Sequence, residues 1–352
     1  MKNIKIGKKT IGPGEKTYII AELSGNHVGK IDVAMKTIQA MKEAGADAVK
    51  LQTYTADTIT LNSDKPDFQI TQGTIWDGRT LYNLYQEAYT PWEWQPKLKE
   101  YAEQLGMACF SSPFDMSSVD FLENMNVPAY KIASFEITDI PLIKYVASKG
   151  KPVIFSTGIA KLPDIELAIE TIKSTGNDQI VILKCTSAYP TPFKEVNLLT
   201  IPDIMRIFHT NVGLSDHTAG IAVPIAAVAL GAVIVEKHFI LDRKLGGPDA
   251  SFSLEPNEFK DMVNNIRFAE QSLGRVMYEL SPKTEREREH SRSLYIAADI
   301  KKGEVFTPQN VRSVRPGYGL HPKEYFNILG KKASQDIEMG TRMTWSLVDE
   351  KS

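Results

Sequence analysis

Short apolar runs recur along the chain. Each gives way to polar residues and then to a stretch with apolar positions at helical spacing. YIIAEL (18–23) leads into SGNHVGK and then IDVAMKTIQAMKEAG, where Gly45 marks a stop. AVKLQT (48–53) precedes a long polar insertion, residues 54–80, that contains Trp76, Asp77 and Gly78. PWEWQPKLKEYAEQLG then reads as a helix with Pro91 near its start. The strand-then-helix order repeats after MACFSS (107–112), AYKIAS (129–134), PVIFST (152–157), QIVILKCT (179–186), VGLS (212–215) and VIVEKHF (233–239). Eight such units in about 260 residues predict an α/β fold, a (β/α)8 TIM barrel. A doubly wound open sheet is the alternative, and eight regular units favour closure.

The pattern breaks after Gly274. Residues 278–295 are charged, and the remainder of the chain has short strands, several glycine turns and no long helix. This predicts a barrel over 1–280, a linker over 281–290 and a small β-rich domain over 291–352. A domain of that size holds little core alone.

Composition narrows the class. The 352 residues carry a formal net charge of −2, which gives no reason to expect nucleic acid or an anionic membrane as the main partner. The longest apolar run, residues 221–235, is too short and interrupted for a membrane span. The N-terminus shows no apolar signal-peptide region. The two cysteines, Cys109 and Cys185, fall in strand-like runs and read as buried inert thiols, which suits a reducing cytoplasm.

In a closed barrel the strand ends converge on one mouth. There stand Glu22, Lys50, Gln52, Ser111, Ser112, Lys131, Ser134, Glu136, Ser156, Lys184, Ser187, Tyr189, Ser215, Asp216, His217, Glu236 and His238. A single lysine at a strand end is an ordinary snorkelling residue. Lys50, Lys131 and Lys184 among so many hydroxyls suit a phosphate plus a carboxylate, as in a small phosphorylated acid. His217 and His238 come from adjacent strands and can converge on a divalent metal, beside Glu22, Asp216, Glu236 and Asp249. Imidazoles favour Zn, Fe, Co or Ni; the oxygen-rich surroundings favour Mn or Mg. Two protein ligands leave positions open for water and substrate. Asp216 is expected to orient His217. Trp92 and Trp94 read as helix-packing residues, and the charged residues 285–289 as a solvated face.

Over nearly its whole length the chain resembles the sialic acid synthase family. AELSGNHVG, DAVKLQTY, FSSPFD, PAYKIASFEI, KPVIFSTG, LKCTSAYPTP, VGLSDHT, EKHFILDR and GGPDASFS carry the resemblance. IKKGEVFT and RSVRPGYGL look like the antifreeze-protein-like SAF domain that ends these enzymes. AELS, WDGRTLYNLYQEAYTPWEW and LDRKLGGPDASFSLEP are most similar to the branch that makes pseudaminic acid. Departures are Gly25 where Ala is usual, Gln95 where His is expected, and Ser187 where neuraminate synthases more often have Asn.

The resemblance implies that phosphoenolpyruvate condenses with 2,4-diacetamido-2,4,6-trideoxy-L-altrose and water, giving pseudaminic acid and phosphate. It implies a divalent metal on His217 and His238, Mn²⁺ first, with Mg²⁺ or Co²⁺ as alternatives. Phosphoenolpyruvate contacts would come from Lys50, Lys131, Ser134, Ser156, Ser187 and Ser215, with Gln52 and Ser112 nearby. Glu22, Glu136, Tyr189 and Asp249 would face the metal, its water or the sugar, and Glu22 or Glu136 would move the proton. Arg315 would reach a partner subunit's barrel, which implies a domain-swapped homodimer. The rivals are neuraminate or legionaminate synthesis, a barrel synthase using a phosphorylated aldose, and a non-catalytic carbohydrate- or ice-binding protein.

Overall fold

The computed structural model describes residues 1–71, 73 and 75–350, so Gln72 and Thr74 of the polar insertion and the last two residues lie outside the description. Two short antiparallel strands come first, β1 (Ile4–Ile6) and β2 (Lys9–Ile11). Eight parallel strands follow: β3 (Tyr18–Glu22), β4 (Ala48–Thr53), β5 (Ala108–Pro113), β6 (Tyr130–Ile132), β7 (Val153–Ser156), β8 (Ile180–Lys184), β9 (Asn211–Asp216) and β10 (Ile234–His238). They run in chain order around a closed barrel, and β10 pairs with β3 to seal it.

Strand alternation divides each strand between two cores. On β3, β4 and β10, Ile19, Ala21, Val49, Leu51 and Val235 point outward and pack with helix residues such as Ile38, Met41, Leu98 and Met262. Tyr18, Ile20, Ala48 and Ile234 belong to the other cluster, which Ile4, Ile6 and Ile11 of the hairpin join. Each fully buried side chain of this kind contributes about 1.5–3 kcal/mol. The interior is therefore filled by apolar residues at one end, and the polar residues are left to the strands' C-terminal ends.

Several helices are capped where they leave that end. Asp115 accepts from the backbone of Ser117 and Ser118 to start the helix Met116–Asn124. Asp139 accepts from Leu142 N to start Ile140–Ala147. These caps satisfy backbone donors that the first helical turn leaves open.

The hairpin is an addition to what the hydrophobic pattern predicts, because strands of three residues are too short to show a period. The insertion is also more structured than a polar stretch suggests. It holds a short helix, Ala56–Ile59, and a 3-10 turn, Pro66–Phe68, and is followed by a helix Leu81–Ala88 that Thr80 caps through Asn83 N.

The chain separates into two compact units, Met1–Gly274 and Arg275–Ser352. The second contains the helix Pro282–Glu287 and an antiparallel pair, β11 (Ser293–Ile296) and β12 (Val311–Val314). Its own core gathers Leu294, Ile296, Phe306, Val311, Ile328 and Met343. No helix among the described residues is long and apolar enough to cross a membrane.

Candidate active site

Register places a lysine, a histidine and two carboxylates side by side. Glu22 on β3 lies opposite Lys50 on β4 and His238 on β10, and Glu236 lies opposite Ser215 on β9. All point inward. Lys50 Nζ is 2.8 Å from Glu22 Oε2 and 2.9 Å from Glu236 Oε1. Glu236 Oε1 also accepts from Ser215 Oγ at 3.0 Å, and Lys131 Nζ lies 3.6 Å away. Gln52 Nε2 donates to Glu22 Oε1 at 2.8 Å, and His238 Nε2 is 3.2 Å from Glu22 Oε2. Burial alone would neutralise these groups. Burial raises Glu22, but His238 and Lys50 outweigh it and hold its carboxyl well below the usual range. Burial likewise works against the Lys50 ammonium, yet Glu22 and Glu236 hold it above the ordinary lysine value. Lys131 is different: burial dominates there and its pKa is lowered.

Next to the charges lies a set of hydroxyls with nothing to bind. Ser112, Ser156 and Ser187 each have a buried Oγ without a hydrogen-bond partner among the described residues. Buried polar groups are nearly always paired, so three unpaired hydroxyls point to a missing ligand. Gly158 leaves the space for one. Its N–H donates to Ser134 Oγ at 3.1 Å, and a Cβ there would fall 2.0 Å from Ser187 Oγ and 2.7 Å from Ser134 Oγ. Glu136, in the 3-10 turn after β6, has a buried and unpaired Oε2. Burial pushes its pKa up to about 7.

The two histidines meet as expected from adjacent strands. Their ring centroids are 5.3 Å apart. Thr186 O lies 3.3 Å from His217 Nδ1, and His238 Nδ1 is buried with no partner among the described residues. No group of three or more His, Cys, Asp or Glu side chains that could hold a metal occurs among the described residues. A metal here would rest on the two imidazoles, with its other positions open to water and substrate. The orphaned His238 nitrogen and the oxygen-rich surroundings fit a borderline divalent cation. The Tyr189 ring lies tilted against His217 at 4.5 Å, and Phe252 approaches His238 edge-on at 5.0 Å. Asp249 accepts from Ser24 Oγ, and its charge reaches both His238 and Tyr189.

Some candidates are placed elsewhere. Asp216 does not orient His217: alternation turns it to the outer face, where Lys237 Nζ and Thr218 donate to it. His217 is instead held by Thr186 O and by Cys185 Sγ at 3.8 Å, so Cys185 is buried but not remote from the chemistry. Lys184 turns its ammonium back to Cys185 O and Thr186 Oγ1. Ser111 shares a hydrogen bond with Thr53. Gln95 accepts from Thr53 Oγ1 and donates to Gln52 O and Thr90 O, a clasp behind β4. Arg315 follows β12 in the second unit and is exposed. Sequence reasoning places Glu236 at the mouth beside the histidines but gives it no part as the shared acceptor, and it assigns Gly158 no role as the source of space. The inward register of Glu236, two residues before His238, is the signal that could have given it that role.

A closed barrel with an anion-ready mouth and a histidine pair defines a (β/α)8 enzyme. The NeuB family profile matches residues 37–278, and the SAF domain profile matches residues 291–349. A pseudaminic acid synthase of Campylobacter jejuni is 50% identical over 326 residues, covering 93% of this chain and 95% of that one. Its counterpart in Helicobacter pylori is 46% identical over 327 residues, covering 93% and 96%. The crystal structure of the spore coat polysaccharide biosynthesis protein SpsE of Bacillus subtilis superposes with a TM-score of 0.68 at 36% identity, covering all of both chains. The chain belongs to the NeuB family of sialic acid-type synthases.

Removing one partner from a buried ion network leaves the others unpaired, at a cost of about 3–5 kcal/mol. Glu236→Ala is therefore expected to lower the unfolding free energy by about that amount, read from urea denaturation, while Glu236→Gln loses less. A Glu236→Ala protein as stable as the native chain would refute the network's role.

Proposed function

We propose that the chain has pseudaminic acid synthase activity, condensing phosphoenolpyruvate with 2,4-diacetamido-2,4,6-trideoxy-L-altrose and water. The observation that carries the phosphoenolpyruvate site is the set of unpaired buried hydroxyls of Ser112, Ser156 and Ser187, the last beside Gly158, on the same barrel as the two buried lysines. The likeness to synthases named for pseudaminic acid supports the choice of acceptor.

In this reading Ser112, Ser134, Ser156, Ser187 and Ser215 cradle the phosphate, and Lys50 and Lys131 face the enolpyruvate carboxylate and phosphate oxygens. These donors are fixed before substrate arrives, so little reorganisation is needed as charge moves onto the leaving phosphate. His217 and His238 would hold a divalent metal, Mn²⁺ or a similar ion, which supplies electrophilic activation of the acceptor's open-chain aldehyde when bound. The C3 carbon of the enolpyruvate attacks that aldehyde carbon, and the aldehyde oxygen takes up a proton to become a hydroxyl. Water adds at C2 and gives up a proton, and the adduct collapses to the ketone as phosphate departs with cleavage of its C–O bond. Glu136 takes the proton of the adding water: its Oε2 is unpaired and its pKa lies near 7. Glu22 is unsuited to that task, because Lys50 and Gln52 hold it as an anion and leave it to position His238. Tyr189 and Asp249 face the sugar. Arg315 serves the acceptor's N-acyl group in a partner subunit, which makes a domain-swapped homodimer part of the reading, at work in the cytoplasm.

Phosphate release with the altrose-derived acceptor tests the activity. Turnover is expected there and not with N-acetylmannosamine, and it should vanish with excess EDTA and return with Mn²⁺. The opposite acceptor preference would overturn the choice of substrate, and full turnover by rigorously metal-free enzyme would overturn the metal's part.

Because the carboxylate form of Glu136 is the active one, kcat/KM should rise as pH passes upward through about 7. Glu136→Gln should remove that limb and lower kcat by about 10²-fold or more. An unchanged limb in the variant rules out Glu136 as the base.

Gly158→Ala puts a methyl where Ser187 Oγ and Ser134 Oγ converge. The KM for phosphoenolpyruvate is expected to rise at least tenfold, with the thermal midpoint nearly unmoved. A native KM would show that the phosphate sits elsewhere.

A further inference from the structure

Two linings meet at the histidine pair. One is the charged and hydroxyl-bearing floor already described. The other is aromatic. Phe252 lies 5.0 Å from His238 and 5.2 Å from Tyr189, and Tyr189 lies 5.7 Å from Trp76. Trp76 belongs to the long insertion after β4, which the proposed chemistry does not use. Its indole Nε1 donates to Pro248 O at 3.2 Å, which ties the insertion to the loop that carries Asp249. The only hydrogen-bonding atom of the indole is thereby spent, and Phe252 has none. Tyr189 adds a phenol hydroxyl to this lining, while its ring faces Phe252 and Trp76.

We propose that Trp76 is a specificity-determining residue: with Phe252 and Tyr189 it forms an apolar wall that selects an acceptor sugar with a methyl group at C6 over one with a hydroxymethyl group. The proposal rests on the reading of the chain as a synthase for a 6-deoxy acceptor. The phosphorylated substrate takes the charged floor, so the acceptor sugar is left the aromatic side of the histidines. A methyl group against that wall leaves water favourably. A hydroxyl there loses its water and gains no partner. An apolar pocket rejects an added hydroxyl by about 10²-fold at most, which sets the scale of the expected preference.

The test compares kcat/KM for 2,4-diacetamido-2,4,6-trideoxy-L-altrose with that for its 6-hydroxy counterpart, using the full chain with Mn²⁺ and phosphoenolpyruvate. Trp76→Phe and Trp76→Gln both alter the donor to Pro248 O, but only the second makes the wall polar. Trp76→His serves as a second polar variant should Trp76→Gln fold poorly. The ratio of the two acceptors is expected to stay within about threefold of native in Trp76→Phe. It should fall about tenfold or more in the polar variants, with the KM for phosphoenolpyruvate unmoved. Equal ratios in the apolar and polar variants would overturn the wall while leaving the synthase reading intact. Failure of the native enzyme to use the 6-deoxy acceptor, or a native preference for the 6-hydroxy one, would overturn both.

Discussion

The active end of the barrel is organised by one buried interaction, the bridge from Lys50 to Glu22 and Glu236. It crosses the seam where β10 meets β3 and continues to β4, the closure that turns an open sheet into a barrel. Its members are held in charged form by one another, against the burial that each suffers. From it the other polar residues take their places. Ser215 and Lys131 approach through Glu236, while Gln52 and His238 approach through Glu22. Such a network is costly to leave half made, so removing any one member penalises the others.

This explains why much of the fold was legible in the sequence and why some of the site was not. The barrel followed from eight repeats of one pattern, and strand ends named most of the polar residues that face the mouth. Alternation on the strands decided the rest. Asp216 sits beside His217 in sequence, so a partnership looked natural, yet a one-residue step sends it to the outer face to pair with Lys237. Glu236, two residues from His238, shares the inner face and is the acceptor that three other strands use. Gly158 ends the motif KPVIFSTG, yet its contribution, the space left by an absent side chain, shows only in three dimensions. The hairpin β1–β2 escaped for a different reason, since three residues cannot display a period.

The two lysines of the floor also divide their work in a way that identical residue types conceal. Lys50 is pinned between two carboxylates and keeps its proton firmly. Lys131 is looser: its ammonium stands 3.6 Å from Glu236 and 3.3 Å from the carbonyl of Ile132, and burial lowers its pKa. Two carboxylates and two ammonium groups leave the floor close to neutral before any substrate enters. The Lys50 charge is shared between Glu22 and Glu236 and ties the seam together. A negative neighbour would restore to Lys131 the proton affinity that burial removes. Lys50 thus holds the geometry of the barrel mouth, while Lys131 is the less tightly paired of the two ammonium groups.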